Sequence, residues 1–416
     1  MRVFRLSLAT MIAVGFASYS FGAETLEEMF SNGKVEGELR AYYFDRKGSP
    51  DNKITTSKAD IFTTGLVLKY VTDEFYGFKL GATMQSSFAP WADKDAKDVF
   101  RGDMYGSGVQ LSEAYIQYSL SKTSLKVGRQ FINTPLVGGS PSRMVTQSFE
   151  GATLWMREIP DTLIMAGVIT KYQNRTDGDG NIGKFGRLAS KDSEKNHGYT
   201  VLVENKSVPN LTLKAQWAAL NTNDAVWTGG DADWFYGEAA YEAKFDDFRY
   251  GIAANTLYKS ATLKSDGFMY GFKLSGGYGG LNAYAAYTVI TDKGDIYGTH
   301  YLNGGIGGGA QPVFAHGYQN RFGMFEQDSK AYTVDANYMF EPAGLKFGLR
   351  YTNVDVGDTK NATFKDKEFG YTDIYAVYDV GKSMSALKGL NFNISYQDWS
   401  KDCDGHDLWV KTVYKF

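Results

Sequence analysis

Cysteine and long apolar runs are scarce in this chain. Only 1 of its 416 residues is cysteine, so no internal disulfide can form, and we expect Cys403 to be an incidental loop thiol. After the N-terminal segment, no apolar run approaches the roughly 20 residues that a membrane-spanning helix needs. The net charge of -3 and the lack of a basic patch argue against nucleic acid as a partner.

The N-terminus carries the longest apolar run of the chain. Arg2 and Arg5 precede the apolar residues 6–16, and small residues follow as far as Ala23. A core helix is the alternative, but a basic start, an apolar middle and a small-residue end are typical of a secretory signal peptide. The sequence therefore predicts a signal peptide over residues 1–23. Residues 24–416 are predicted to form one domain, because no linker or change of composition divides them.

The rest of the chain alternates between apolar and polar residues in segments of about ten residues. In KVEGELRAYYF, Val35 and Leu39 share one face, while Glu36, Glu38 and Arg40 share the other. The same split recurs in FYGFKLGATMQ, LKFGLRYTN and GLNFNISYQDW. About ten residues is the length of a tilted strand that crosses a bilayer. A soluble β-sandwich would alternate too, so the alternation leaves the surrounding solvent open.

The connections between these segments favour the membrane. Short turns such as VTDE, IPDT and EPAG alternate with long polar stretches at residues 87–108, 173–197, 292–329 and 356–368. Outer-membrane barrels have short periplasmic turns at one rim and long extracellular loops at the other. The sequence therefore predicts an all-β fold, a transmembrane antiparallel β-barrel of about 18 strands, which is wide enough for an aqueous channel.

One stretch carries a family resemblance. GRQ at residues 128–130, followed by SRMVTQSFEGATL at residues 142–154, resembles the third-loop region of the OprD family of substrate-specific outer-membrane porins. The predicted signal peptide, the strand count and the terminal Phe416 fit that family along the whole mature chain. Thr146 and Ser148 depart from the family pattern, which has proline and threonine at these places.

The resemblance implies that the third loop folds into the lumen and forms the narrowest part of the pore. It also implies a ladder of basic side chains that guides anionic or carboxylate-bearing solutes. Arg143, Gln147 and Glu150 match the family pattern, so we expect them at the pore constriction. A charge there acts strongly because the low-dielectric wall focuses its field. An ion pair between Arg143 and Glu150 that only anchors the loop is the alternative.

The polar faces of the strands supply further candidates, because charged side chains within a spanning strand need water. Most of them would line the lumen of any water-filled barrel, and the excess of basic residues is small. The predicted basic residues of the pore lining are Arg40, Lys79, Lys126, Arg129, Arg157, Lys214, Arg249, Lys273 and Arg350. The predicted acidic residues of the pore lining are Glu36, Glu38, Glu113, Glu238 and Asp335.

The final segment, LWVKTVYKF, is expected to close the barrel by pairing with the first strand. An open edge in lipid would leave backbone groups unsatisfied. The resemblance implies that Tyr414 and Phe416 form a sorting element that is read by the barrel assembly machinery. Outer-membrane lipid and lipopolysaccharide are the other expected partners, and a monomer and a homotrimer would share the same strands.

Motifs for metals and cofactors fail on inspection. DGDGNIG at residues 177–183 begins like a calcium loop, but Ile182 stands where glycine is needed and Leu188 where glutamate is needed. GGIGGG at residues 304–309 lacks the strand-to-helix context of a phosphate-binding loop, so we expect a flexible loop there. The sequence therefore predicts neither a metal nor a cofactor.

The function indicated by these observations is passive transport. We expect a porin that conducts ions and small hydrophilic solutes, with selectivity from charged residues of the lumen and the third loop. A surface adhesin or phage receptor is the first alternative, in which the loops bind and the pore is incidental. A barrel enzyme is the second, but no spacing suggests a nucleophile with a histidine partner.

Overall fold

The computed structural model describes residues 22–48, 58–188, 197–222, 230–298, 304–319 and 322–416. Of the predicted signal peptide, residues 1–21 lie outside this part of the chain. Within the described ranges, no helix is long and apolar enough to cross a membrane.

The strands form one antiparallel sheet that closes on itself. Among the described residues, eighteen strands build the closed wall, because the two-residue β8 pairs there with β7 alone, while β7 also pairs with β9. The prediction of an 18-strand antiparallel barrel is confirmed. In chain order the strands are β1 Lys34–Gly48, β2 Lys58–Val71, β3 Phe78–Ser87, β4 Gly108–Leu120, β5 Thr123–Gln130, β6 Ser148–Met156, β7 Thr162–Gln173, β8 Phe185–Gly186, β9 His197–Asn205, β10 Leu211–Asn221, β11 Ala232–Phe245, β12 Phe248–Ala261, β13 Gly267–Tyr278, β14 Leu281–Ile290, β15 Ser329–Phe340, β16 Leu345–Val356, β17 Lys367–Asp379, β18 Leu390–Lys401 and β19 Gly405–Lys415.

The seam between the first and last strands completes the wall. β1 pairs with β19 from Glu38 opposite Lys415 to Gly48 opposite Gly405. Past the end of β19, the backbone N–H of Phe416 donates to the carbonyl of Gly37 at 3.0 Å, and that of Gly37 donates back at 2.9 Å. The final segment therefore closes the barrel as predicted, and no strand edge is left open at this seam.

Alternation along each strand sorts the side chains between two faces. In β1, Val35 and Leu39 point outward and are 66% and 51% exposed, whereas the Arg40 side chain points inward and is only 10% exposed. The outward positions of β13 carry Phe272 and Leu274, which are also exposed. The barrel therefore has an apolar outer face and a largely polar inner face, as expected for strands that separate lipid from water.

The connections are short at one rim and long at the other. The short-turn rim holds two-residue connections such as Ser121–Lys122 and Asp246–Asp247, and two short helices, α1 Leu26–Ser31 and α3 Val380–Ser383. The long-loop rim holds loop 2 (residues 88–107), loop 3 (131–147) and the described parts of loop 4 (174–188) and loop 7 (291–298, 304–319 and 322–328). Loop 2 contains helix α2, Lys94–Val99.

Loop 3 crosses the lumen and meets loop 7 there. Leu136 and Val137 are fully buried, and the N–H of Leu136 donates to the Gln216 side chain on the inner face of β10 at 2.9 Å. Ile306 of loop 7 donates its N–H to Leu136 at 2.8 Å and accepts from Gly138 at 3.0 Å. The prediction of an inward-folded third loop is confirmed, and loop 7 folds inward beside it.

Glycines permit the contact between the two loops. A Cβ on Gly138 would lie 2.7 Å from the backbone carbon of Gly309, and one on Gly309 would lie 2.7 Å from that of Gly139. Residues 304–309, which we expected to be a flexible loop, therefore pack backbone against backbone on loop 3. Their glycine content is explained by this close approach.

We expect Gly138→Ala to push loop 3 and loop 7 apart, because overpacking of this kind costs about 1–3 kcal/mol. In detergent, a protease should cleave loops 3 and 7 of the variant faster than those of the wild type. Gly186→Ala is the matched control, since an added methyl group meets nothing within 4 Å there. Equal cleavage rates for the two variants would contradict the described packing.

Candidate functional site

Cationic side chains gather on the inner face at the seam of β1 and β19, where loop 3 meets the wall. Strands β1 and β19 supply three of them, loop 3 supplies one, and loop 4 supplies one. We call this set the cationic column: Arg40, Arg46, Lys411, Arg143 and Arg175. Its carboxylate partners are Glu38, Asp407 and Asp103. The column thus brings five basic side chains together with three carboxylates.

Arg40 and Arg46 are paired with carboxylates of the wall. Arg40 donates from Nε and Nη2 to one oxygen of Glu38 at 2.9 and 2.6 Å. Its Nη1 donates to the carbonyl of Met144 in loop 3 at 2.8 Å. Arg46 donates to both oxygens of Asp407 at 2.8 Å. Arg40 therefore holds the backbone of loop 3 against the wall as well as pairing with Glu38.

Lys411 lies between these two arginines in the column. Its ammonium group donates to the carbonyl of Ser142 at 2.7 Å. It lies 4.5 Å from the ring centre of Trp409, and the rings of Tyr42 and Phe44 are 5.6 and 5.5 Å away. Among the described residues, no carboxylate forms an ion pair with it. The Lys411 amino group is therefore held by aromatic rings and one carbonyl rather than by a carboxylate.

Arg143 and Arg175 share the carboxylate of Asp103 in loop 2. Oδ1 of Asp103 lies 2.8 Å from Nε of Arg143 and 2.8 Å from Nη1 of Arg175. The Arg143 guanidinium also stacks on Trp409, 4.0 Å from the ring centre, and lies 5.2 Å from that of Phe44. Three loops therefore meet at one ion cluster on the wall.

Asp103 and Arg143 are both charged at neutral pH. Burial opposes ionisation of Asp103, but Arg143, Arg175 and Arg46 outweigh it and hold its pKa below the ordinary range. Burial lowers the pKa of Arg143 to about 10, against the attraction of Asp103. Both groups stay ionised well above and below neutrality.

Cavities lie on both sides of the two inward loops. One of about 1120 Å³ opens toward the short-turn rim, and its lining includes Glu38, Arg40, Glu113 and Lys126. A second of about 490 Å³ lies against the opposite wall, beside Arg249, Lys273 and Tyr284. A third of about 780 Å³ lies at the long-loop rim. Loops 3 and 7 therefore stand where the lumen narrows.

A second ion cluster lies on the wall formed by β14 to β17. Arg350 donates from Nε to Asp335 at 2.9 Å, and the hydroxyl of Tyr375 lies 3.0 Å from the same carboxylate. Tyr318 of loop 7 stacks on Tyr375 with a ring distance of 4.5 Å. This cluster joins loop 7 to the wall much as the cationic column joins loop 3.

Most of the residues predicted to line the pore lie on the inner face. Lys214 pairs with Glu238 at 2.8 Å, and Lys126 lies 4.1 Å from the ring centre of Tyr115. Their influence on solutes stays a prediction. The inward set comprises Glu36, Glu38, Arg40, Lys79, Glu113, Lys126, Lys214, Glu238, Arg249, Lys273, Asp335 and Arg350.

Arg129 and Glu150 lie on the outer face, so their predicted places in the pore are wrong. Residues three apart in a strand face opposite sides, and Lys126 points inward. Arg129 pairs across β5 and β6 with Glu150, on the side that carries exposed Leu125 and Leu154. Glu150 accepts from Lys171 at 2.6 Å and from Arg129 at 3.3 Å. Loop 3 ends before Ser148, so Glu150 belongs to strand β6 and not to the loop.

Arg157 and Gln147 lie outside the strands. Arg157 directly follows β6 at the short-turn rim, where its N–H donates to the carbonyl of Lys122 at 3.0 Å, and its place in the pore lining stays a prediction. Gln147 is buried in loop 3. Its side chain accepts from the N–H of Ser140 at 3.0 Å and donates to Asn174 of loop 4 at 2.9 Å, so it braces loop 3 internally and joins it to loop 4.

Several residues of the ion clusters were not predicted, among them Arg46 and its partner Asp407, Asp103 and Arg175. Arg46 continues the inward alternation of Glu38 and Arg40, so a longer reading of β1 would have found it. Asp103 and Arg175 lie in loops 2 and 4, and no spacing in the sequence links them to Arg143. Only the folded loops bring them together.

The region that resembled a calcium loop is a turn. Asp177 accepts hydrogen bonds from the backbone N–H groups of Asp179 and Asn181 at 2.8 and 3.1 Å. The described residues hold no group of three or more histidine, cysteine, aspartate or glutamate side chains that could bind a metal ion.

A closed barrel with an apolar outer face, a polar lumen and two inward loops defines an outer-membrane porin. The chain belongs to the OprD family: the model described as outer membrane porin, OprD family, matches residues 27–403. The resemblance seen in the third loop is therefore confirmed. The long-loop rim is extracellular and the short-turn rim periplasmic.

Solved structures of porins share the fold at low identity. OpdK of Pseudomonas aeruginosa, solved with vanillate, has a TM-score of 0.74 and 15% identity over 93% of this chain and 99% of its own. OccK2 (OpdF) of the same organism, in complex with glucuronate, has a TM-score of 0.74 and 15% identity, covering 93% of this chain and 97% of its own. OccAB3 of Acinetobacter baumannii has a TM-score of 0.77 and 16% identity, covering 93% of this chain and 99% of its own. A comparison with curated proteins finds no match.

We expect Glu150→Gln to leave ion selectivity unchanged, because Glu150 lies on the outer face. Glu38→Gln is the matched comparison, since the same change removes a carboxylate from the inner face. The reversal potential across a planar bilayer under a KCl gradient measures both. A shift for Glu150→Gln as large as that for Glu38→Gln would contradict the placement of Glu150.

Proposed function

We propose that this porin conducts small carboxylate-bearing solutes by passive diffusion and prefers anions. The observation that carries the proposal is the composition of the cationic column, five basic side chains against three carboxylates, beside the loop that narrows the lumen. Transport without catalysis is part of the same proposal.

The column supplies a path of positive potential along one wall. Lys411 contributes an ammonium charge with no paired carboxylate among the described residues. Arg40 lies below it and lines the large periplasmic cavity. Because a narrow passage with low-dielectric walls focuses the field of such charges, an anion is attracted toward the constriction and a cation is repelled.

The ligands named with two structurally similar porins support carboxylates as the transported solutes. Vanillate and glucuronate, named with OpdK and OccK2, each carry one carboxylate on a small ring. A small ring-shaped solute with hydroxyl groups and one carboxylate matches a passage that has cationic side chains on one wall and aromatic and polar side chains on the other walls.

Export and assembly are part of the proposal. Residues 1–23 direct export, and Tyr414 and Phe416 present the assembly signal to the barrel assembly machinery. The two rings lie 6.0 Å apart at the seam and are 40% and 56% exposed, so an assembly factor could reach them. The apolar outer face contacts outer-membrane lipid and lipopolysaccharide, and the barrel acts as a monomer or a homotrimer.

We expect Lys411→Gln to weaken anion preference, because it removes a cation that no carboxylate neutralises. A unit charge at 4 Å contributes about 1 kcal/mol even in water, so the anion-to-cation permeability ratio should fall at least about fivefold. The ratio follows from the reversal potential in a planar bilayer under a KCl gradient.

Lys206→Gln is the control for this experiment, since Lys206 is an exposed lysine of a periplasmic turn. It should leave the ratio as in the wild type. If Lys411→Gln behaves like Lys206→Gln, the column does not set selectivity.

A further inference from the structure

We propose that Asp103 is an internal carboxylate that occupies an anion-binding site formed by Arg143 and Arg175, and so weakens the binding of carboxylate solutes there. The inference rests on the proposed function for its physiological meaning. The site itself rests on contacts among loops 2, 3 and 4.

The donors around Asp103 converge as in a site for a carboxylate. Two guanidinium groups approach Oδ1, each at 2.8 Å, and Arg143 Nε lies 3.0 Å from Oδ2. The hydroxyls of Ser140 and Ser142 complete the cluster, because Arg175 donates to Ser140 at 2.9 Å and Arg143 to Ser142 at 3.1 Å. Paired guanidinium groups are the usual protein recognition elements for carboxylates.

The arginine pair has donor capacity that Asp103 does not use. Each guanidinium carries five N–H donors, and Nε of Arg175 is buried without a hydrogen-bond partner among the described residues. A buried, unpartnered donor is costly. Asp103 therefore occupies a site that could hold a carboxylate with more hydrogen bonds.

Loop 2 fixes the position of the internal carboxylate. Asp103 and Met104 both donate their N–H groups to the carbonyl of Phe100, at 3.0 and 3.1 Å. Phe100 and Met104 are fully buried in a cluster with Phe44 and Trp409, the two rings beside Arg143. This packed turn therefore places the Asp103 carboxylate beside Arg143 and Arg175.

The consequence is competition between Asp103 and a passing solute. A solute carboxylate that reaches the pair must displace a tethered one, so it is held weakly and leaves quickly. Such a balance suits a channel, since conduction requires binding that is strong enough for entry and weak enough for exit. Without Asp103, the same pair should retain the solute.

The test measures the dissociation constant of sodium glucuronate for the folded protein in detergent, by titration calorimetry. We expect Asp103→Asn to bind at least about tenfold more tightly than the wild type, the range measured for close charge pairs. Asp103→Glu, which keeps the carboxylate, should bind like the wild type.

Asp179→Asn is the matched control, because Asp179 is an exposed carboxylate of loop 4 that pairs with exposed Arg101 at 3.3 Å. It should also bind like the wild type. Arg143→Gln in the Asp103→Asn background should abolish the gain and so locate it at the arginine pair.

Binding by Asp103→Asn that equals or falls below that of the wild type would overturn the inference, as would an equal gain for Asp179→Asn. The measurement requires no conduction. A protein that shows this gain in binding but no anion preference in bilayers would therefore refute the proposed function and leave the internal carboxylate supported.

Discussion

Closure of the backbone hydrogen-bond ladder in lipid is the constraint on which the rest of the structure depends. Each unpaired N–H or C=O in the hydrocarbon region would cost several kcal/mol, so the sheet must return to its first strand. The pairing of β1 with β19, extended by Phe416 and Gly37, achieves this. Once the sheet is closed, alternation assigns apolar side chains to lipid and charged ones to the lumen. The inward positions of Arg40, Arg46 and Lys411 at the seam follow from this alternation.

An 18-strand wall encloses more space than its own side chains can fill, and this sets the role of the loops. Loops 3 and 7 enter the lumen and pack on each other through glycines, because side chains would hold their backbones apart. Cations of the wall bind loop 3 through its carbonyls, which accept from Arg40 and Lys411. The charges that attract anions therefore also position the constriction.

The sequence was sufficient for the fold and for part of the site. Strict alternation and the contrast between short and long connections predict the barrel, its closure and the inward side of Arg40 or Glu38. Matching residues to a family pattern failed for Glu150, because adjacent Phe149 already occupies the inner face of β6. Asp103 and Arg175 could not be predicted, since loop contacts between residues 72 positions apart leave no periodic signal.

Anion preference at a wall of cations is the central claim, and the reversal potential of the wild-type channel tests it most directly. With KCl more concentrated on one side of a planar bilayer, the account predicts a potential whose sign corresponds to chloride crossing faster than potassium. A potential of zero, or one of the opposite sign, would contradict it.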